Sequence, residues 1–424
     1  MENNDIIPNL FRTEYSKIVA VLSNLFGIKH IEIAEDLASE TFLTAMETWP
    51  YKGIPKNPSA WLFAVAKNKA KNHFVRNIIF RDKIAKQLQE SRTEEFGIDL
   101  SDKNIADSQL QMLFAVCHPT ISEKAQISLA LRILCGFGID EIADAFLTNK
   151  ETINKRLQRA KENLRSENVQ MEIPPNDQLR PRLDSVLRTI YLVFNEGYYS
   201  ESNNSIIRNE LCLEAMNLTY LLLQNDLTNT HSTNSLMSLM CFHSSRLEAR
   251  LTDKGEIILY QDQDETLWNT ELIEKGFYYL QQASKWEIAS KYYLEASIAY
   301  WHTFKKDTKE KWESIFNLYD LLLKIDYTPI ANLNRIFALS KVKGNKLAII
   351  EAKKLNLKDN HFYYLLLSEL YKGSDRNKEK DSLENSLKLC KTDTERIFIR
   401  KKIEKFEKKT KKADRITSCI VNGG

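Results

Sequence analysis

The stretch 126–165, QISLALRILCGFGIDEIADAFLTNKETINKRLQRAKENLR, constrains the chain more than any other. Ile127, Leu131 and Leu134 recur at helical spacing, Gly136 and Gly138 break that helix, and Ile139, Ile142, Ala143 and Phe146 open a second apolar stripe. Thr148 or Asn149 then offers a side-chain oxygen to the free N–H groups of a further helix, with Glu151 placed to close a capping box. In that helix Ile153, Leu157, Ala160 and Leu164 share one face, which leaves Lys150, Asn154, Lys155, Gln158, Arg159 and Lys161 on the other. Two helices crossing at a tight turn, the second of them basic, form the geometry that lays a helix in a DNA major groove, where Arg, Lys, Asn and Gln reach base edges. An ordinary helical hairpin with a solvated basic face has the same pattern, so the choice falls to the rest of the chain.

That remainder is helical as well. Gly (12) and Pro (9) are scarce among 424 residues, apolar periods are helical and few clusters look like hairpin turns. An all-α fold with two or three cores follows. The net charge of +3 conceals a segregation: Ile31 to Pro50 carries five acids and no Lys or Arg, whereas Trp61 to Lys86 carries seven bases and one acid, Asp82. Six cysteines without a C-x-x-C pair suit a reducing compartment and imply neither a disulfide framework nor a zinc site, so no metal or cofactor is expected. The N-terminus has no basic segment followed by an apolar one, and no apolar run reaches membrane-spanning length. A cytoplasmic protein without membrane contact is the expectation.

Two amphipathic helices are predicted around Gly27, from Phe11 to Phe26 and from Ile33 to Trp49. The second should bury Ile33, Leu37, Phe42 and Ala45 and show Glu32, Glu35, Asp36 and Glu40 to solvent or a partner. After a proline-bounded loop, YKGIPKNP, a helix from Ala60 to Val75 interleaves Trp61, Phe63 and Phe74 with Lys67, Asn68, Lys69, Lys71, Asn72 and Arg76. Rings for stacking and cations for phosphates on one element suit single-stranded DNA. Core aromatics beside solvated lysines are the alternative.

Residues 81–107, of weaker periodicity and mixed charge, read as a helical or partly disordered linker, and a second DNA-binding unit spans 108–170. From Leu179 aromatic-rich amphipathic helices follow one another, and Ile330 to Leu355 and Phe362 to Leu389 resemble degenerate tetratricopeptide units. The helical extension is placed at 180–410 and a basic tail at 411–424. Within the extension, Asn195, Glu196, His243, Arg246, Arg250, Asp262, Asp264 and Trp268 form a polar constellation. It reads as a buried hydrogen-bond and ion-pair network or as a pocket for a ligand or peptide. No nucleophile–base or metal-ligand spacing is visible, so no enzyme is expected.

DLASETFLTAMETWP with GIPKNPSAWLFAVAKNKAKNHFVRN resembles region 2 of bacterial sigma factors, and DEIADAFLTNKETINKRLQRAKENLR resembles their region 4. With nothing else between these regions, the chain is similar to the extracytoplasmic-function class. CHPTIS, YLVFNEGYYS, LCLEAMNL, MCFHSSRLEAR, DQDETLW and YLEASIAYWH are similar to its subgroup with a long tetratricopeptide-like C-terminal extension, although Glu265 stands where that subgroup usually has Arg.

The resemblance implies an all-α protein with region 2 in 1–80 and region 4 in 108–170, working with the β′ clamp and β flap of core RNA polymerase and with promoter DNA. It implies polymerase binding for Asp36 and Glu40, with Phe42 as a core or contact residue, and −10 recognition by Trp61, Lys67, Asn68, Lys69, Asn72 and Arg76. An extruded −10 base would sit near the loop from Tyr51 to Pro58, and Lys150, Asn154, Lys155, Arg156, Gln158 and Arg159 would meet the −35 duplex. A cytoplasmic protein or peptide is the expected partner of the extension. The rival reading is a ligand- or peptide-responsive helix-turn-helix regulator acting without polymerase.

Overall fold

The structure is a computed structural model that describes residues 6–84, 99–199, 205–250, 252, 258–285, 289–390 and 392–421. Among these every regular element is helical, and the chain divides into two compact units, Met1–Thr228 and Asn229–Gly424.

In the first unit α1 (Ile6–Phe26), α2 (Ile31–Lys52) and α3 (Pro58–Ile84) pack together, joined through Gly27 (φ 81°) and Gly53 (φ 79°). Both turns need a left-handed residue, which glycine adopts without steric cost. Tyr15, Ile18 and Leu22, then Leu37, Phe42 and Ala45, then Leu62, Ala66 and Ala70 are buried, as their helical spacing requires. The predicted linker ends in a helix, one of the two forms expected for it. Ser101 accepts a hydrogen bond from the Asn104 amide (3.3 Å) and starts α4 (Asp102–Val116), which packs on α1. An N-cap followed by Asp102 is a helix start that the mixed charge of the segment concealed. Residues 85–98 of that linker lie outside the described residues.

The segment predicted to form a helix-turn-helix follows. α5 (Glu123–Leu129) runs into a π turn, Ala130–Leu134, and Gly136 (φ 70°) ends it before α6 (Ile139–Ala145) and α7 (Lys150–Ser166). Asn149, not Thr148, caps α7 by accepting from the Thr152 amide at 2.8 Å. Glu151 is therefore one position too early for a capping box and instead pairs with Lys155 at 2.7 Å. Half of such a box occurs at α6, where Glu141 accepts from the Gly138 amide at 2.6 Å and Gly138 has no side chain to complete it.

The CHPTIS segment joins α4 to α5 and is held from the far side of the sequence. Gln126 Nε2 donates to the carbonyls of His118 (3.1 Å) and Ile121 (3.0 Å), while its Oε1 accepts from the Thr189 hydroxyl at 2.7 Å. Thr189 belongs to α8 (Asn176–Tyr199), along with Arg182 and Ser185, which donate to the carbonyls of Phe114 (2.7 Å) and Cys117 (3.0 Å). α8 pairs with α9 (Ser205–Leu223), and between them they rest on α4, α5 and α6. The first two helices of the extension are thus part of the first unit.

The second unit runs α10 (His231–Ser244), α11 (Thr270–Ser284), α12 (Lys291–Trp301), α13 (Lys309–Ile325), α14 (Pro329–Lys343), α15 (Asn345–Lys354), α16 (His361–Tyr371), α17 (Arg376–Leu389) and α18 (Asp393–Val421). Successive helices pack on one another, and the pairs α14/α15 and α16/α17 fall on the two predicted repeats. α10 and α11 meet at Gly276, where a Cβ would stand 2.7 Å from the Phe242 ring. The expected tail from 411 is helical through Val421, in keeping with the helix propensity of its Lys- and Glu-rich approach.

Candidate nucleic-acid interface

On α2, burial selects one face. Asp36, Ser39, Glu40, Leu43, Met46 and Glu47 are exposed at spacings of three and four, with Leu43 and Met46 more than half exposed. An acidic stripe that also shows two large apolar side chains is a surface shaped for a partner. Phe42 is not on it: its ring meets Phe11 edge-on at 4.9 Å and is buried, so it is a core residue. Ile33 is only half-buried.

Glu32 and Glu35, expected beside Asp36 at the surface, are engaged instead by the helix-turn-helix. Glu35 is buried and pairs with Lys161 of α7, and Arg132 approaches it at 3.8 Å while lying over the Tyr15 ring at 5.9 Å. Burial pushes the Tyr15 phenol up to about 12, with the charge of Glu35 adding to the shift. Arg165 makes a forked pair with Glu32, both distances 2.8 Å, and donates to the Lys29 carbonyl at 3.1 Å. The helix period could not separate Glu35 from Asp36, because the acid next to the core is buried only by an element distant in sequence.

α3 divides the same way. Phe63 is buried and Phe74 stacks on Phe26 at 4.7 Å, so both are core. Trp61 is half-buried and meets Trp49 edge-on at 5.4 Å. The exposed face carries Asn68, Lys71, Asn72 and Arg76, and Tyr51 at the C-terminal end of α2 is 91% exposed. Lys67 and Lys69 are half-buried at its edge, and Lys69 pairs with Glu40 at 3.2 Å, joining the two stripes. The exposed strip on α3 is polar and cationic and can follow phosphates, and the exposed Tyr51 ring on α2 can stack a base.

α7 presents Asn154, Lys155, Gln158 and Arg159 to solvent, and Lys150 beside them pairs with Asp140 at 2.6 Å. Arg156 turns inward, over the Phe146 ring at 5.6 Å and donating to the Ser128 hydroxyl at 3.2 Å. The N-terminal part of α7 therefore offers amide and cationic donors, while Lys161 and Arg165 further along are bound to α2.

In the extension, Asn195 and Glu196 are half-buried on α8 in the first unit, whereas the rest of the polar constellation lies in the second. There Asp262 and Asp264 are exposed, and Asp264 accepts from the Thr266 amide (2.9 Å) and hydroxyl (2.8 Å) as a local cap. Glu265 is exposed as well, so the departure from the resembled motif falls on the surface. His243 and Arg250 are half-buried, and Arg246 and Trp268 are buried. Two of the group, Arg246 and Trp268, meet at Tyr260, which sequence reasoning did not single out. Its ring stacks with Trp268 at 6.1 Å, meets His302 edge-on at 5.2 Å and carries the Arg246 guanidinium at 5.5 Å.

Residues 10–77 match the family model of sigma-70 region 2, and residues 182–284 match a family of unknown function, DUF6596. The chain is 29% identical over 393 residues to an uncharacterized protein, R00370, of Rhizobium meliloti (strain 1021), covering 89% of this chain and 90% of the relative. No solved structure matches. The chain thus carries a sigma-70 region 2, which gives it a sigma-factor-like role in transcription initiation, followed by a domain of unknown function. No helix among the described residues is long and apolar enough to cross a membrane.

Proposed function

We infer that this chain, with its sigma-70 region 2, is a sigma factor that joins core RNA polymerase and directs it to promoters through a −10 and a −35 element. One observation carries the reading: the matched segment has an exposed acidic–apolar stripe on α2 and an exposed cationic strip on α3, meeting at Glu40 and Lys69. A DNA-binding regulator acting alone has use for the strip but not for the stripe.

In this scheme Asp36 and Glu40 dock on the β′ clamp with Leu43 and Met46 beside them, and α7 approaches the β flap and the −35 duplex. Asn68, Lys71, Asn72 and Arg76 follow the melted −10 strand, and Tyr51 and Trp61 are the rings available to an unstacked base. On the −35 side Asn154, Lys155, Gln158 and Arg159 contact DNA, and Arg156 supports α7 from within. The protein performs no chemistry of its own, and the polymerase forms the bonds.

Run-off transcription with purified core enzyme tests the reading. Adding the protein should give promoter-specific transcripts, and Asp36→Arg should abolish them together with co-purification of β′. Loss of neither, or no specific transcript from the wild type, sinks it.

A further inference from the structure

The second unit buries two cations that have no carboxylate partner among the described residues. Arg246 is 8% exposed and Lys311 is 1% exposed, and both lie over the Tyr260 ring, at 5.5 and 5.0 Å. Lys311 donates to the Tyr260 hydroxyl (3.0 Å) and the Phe304 carbonyl (2.5 Å), while Arg246 Nε has no acceptor. Asp307 is the acid whose charge bears on Lys311, yet one of its oxygens accepts from Trp312 Nε1 at 3.1 Å and the other is held by Lys341 at 3.3 Å. Uncompensated buried charge is costly enough that folds rarely keep it without a use.

Unsatisfied neutral groups occur on or close in sequence to the residues that meet this ring. Gln263 Oε1, Trp268 Nε1 and His302 Nδ1 are buried without a hydrogen-bond partner, and Gln263 and Trp268 are 4% and 7% exposed. Native proteins leave few such atoms, and each calls for an explanation. With Arg246 Nε they make four, from three separate segments: the residues just after α10, the DQDETLW turn and the residue following α12; Arg246, Trp268 and His302 meet the Tyr260 ring, and the Gln263 backbone amide donates to the Tyr260 carbonyl at 3.4 Å. Three of the four are nitrogen groups, one of them on the Arg246 cation itself, and the fourth is an acceptor.

We propose that this cluster binds the oxyanion of a small ligand, a carboxylate or a phosphate. Arg246 and Trp268 donate N–H groups to its oxygens, Lys311 supplies the second positive charge, and Gln263 accepts from a hydroxyl or amine on the same molecule. The depth of Arg246, Gln263 and Trp268 favours a compact group over a helix or an extended peptide laid on the surface. Water alone would satisfy the neutral atoms but would leave both charges uncompensated.

The test does not depend on polymerase or DNA, so it is independent of the sigma reading. The full chain is titrated calorimetrically with inorganic phosphate and, separately, with acetate, at constant ionic strength held with chloride. One of the two anions should bind saturably and raise the melting temperature. Preference for phosphate points to a phosphorylated ligand and preference for acetate to a carboxylate. Arg246→Gln and Trp268→Phe should each weaken binding at least tenfold, and Trp268→Phe keeps an aromatic ring while removing the N–H, so it carries the test if Arg246→Gln fails to fold. Absence of saturable binding by either anion, or wild-type affinity in Trp268→Phe, overturns the proposal.

Discussion

His302 shows how burial sets a protonation state. Desolvation, reinforced by the charges of Arg246 and Lys311, lowers its pKa to about 3, and burial moves His243 in the same direction. Both rings are therefore neutral in the folded chain at pH values where the unfolded chain takes up protons. Stability from this source is complete above about pH 6.5 and falls as the pH is lowered, by about 1.4 kcal/mol per pH unit for each histidine held neutral. Between pH 6.5 and about 5 the carboxylates have not yet begun to titrate, so the histidines dominate there. Urea unfolding of the second unit at pH 7.5 and 5.5 should show that loss, and His302→Asn should flatten the slope by roughly one histidine's share; an unchanged slope means the ring is protonated in the fold. Glu35 makes the complementary case for charge. Glu35→Ala strands Lys161 and Arg132 and should cost about 2–4 kcal/mol, whereas Glu35→Leu with Lys161→Met replaces the pair by apolar groups and should recover most of the loss. Denaturation midpoints of the two variants check this, and equal losses would mean that the pair is not what couples α2 to α7.

At the scale of elements, the three helices of region 2 and the turn before α7 were legible because apolar spacing and caps are local. Leu37, Phe42 and Ala45 are buried where the period puts them, and Asn149 caps α7 within one residue of the alternatives. What was illegible is tertiary. Nothing in the sequence near Glu35 announces Lys161, nor does Gln126 announce Thr189, because each pairing closes a long loop of chain. Tyr260, Gln263 and Lys311 escaped notice for a related reason: an aromatic, an amide and a lysine in separate segments gain meaning only when folded around one point. On α7 the legible and illegible parts separate cleanly. Asn154, Lys155, Gln158 and Arg159 stay exposed, whereas Arg156 and Lys161 are drawn inward by Ser128 and Glu35. Lys155→Ala and Arg159→Ala should accordingly weaken −35 duplex binding, and where the side chain removed had neutralised a phosphate the slope of log affinity against log salt should fall by about one. Where it had read a base edge, sequence preference should instead relax by roughly 1–3 kcal/mol. Arg156→Lys should leave the salt slope alone and lower stability; a reduced slope would return Arg156 to the DNA face.

At the scale of the whole molecule, the compact boundary does not coincide with the motif boundary. The motif of α5 to α7 ends in sequence near Val169, yet α8 closes its core: Arg182, Ser185 and Thr189 satisfy the carbonyls and the amide around CHPTIS, and Leu183, Val186, Leu187 and Ile190 are buried on the same helix. Burying a side chain of this kind contributes about 1.5–3 kcal/mol, against a total stability of about 5–15 kcal/mol for a domain. A chain cut after Val169 should therefore fold poorly, and a loss of promoter activity in it would report misfolding rather than regulation. A cut after Thr228, where the first compact unit ends, keeps α8 and α9 and removes the second unit whole. The 1–228 chain should melt cooperatively and retain polymerase binding, since the α2 stripe, the α3 strip and α7 all lie within it. If the second unit is a regulatory domain, transcription driven by 1–228 should differ from that of the full chain by more than its change in polymerase affinity accounts for. Equal activity of the two chains, in vitro and in cells, would refute regulation, and cooperative melting of the shorter 1–169 chain would show that α8 is not needed to close the core around α5 to α7.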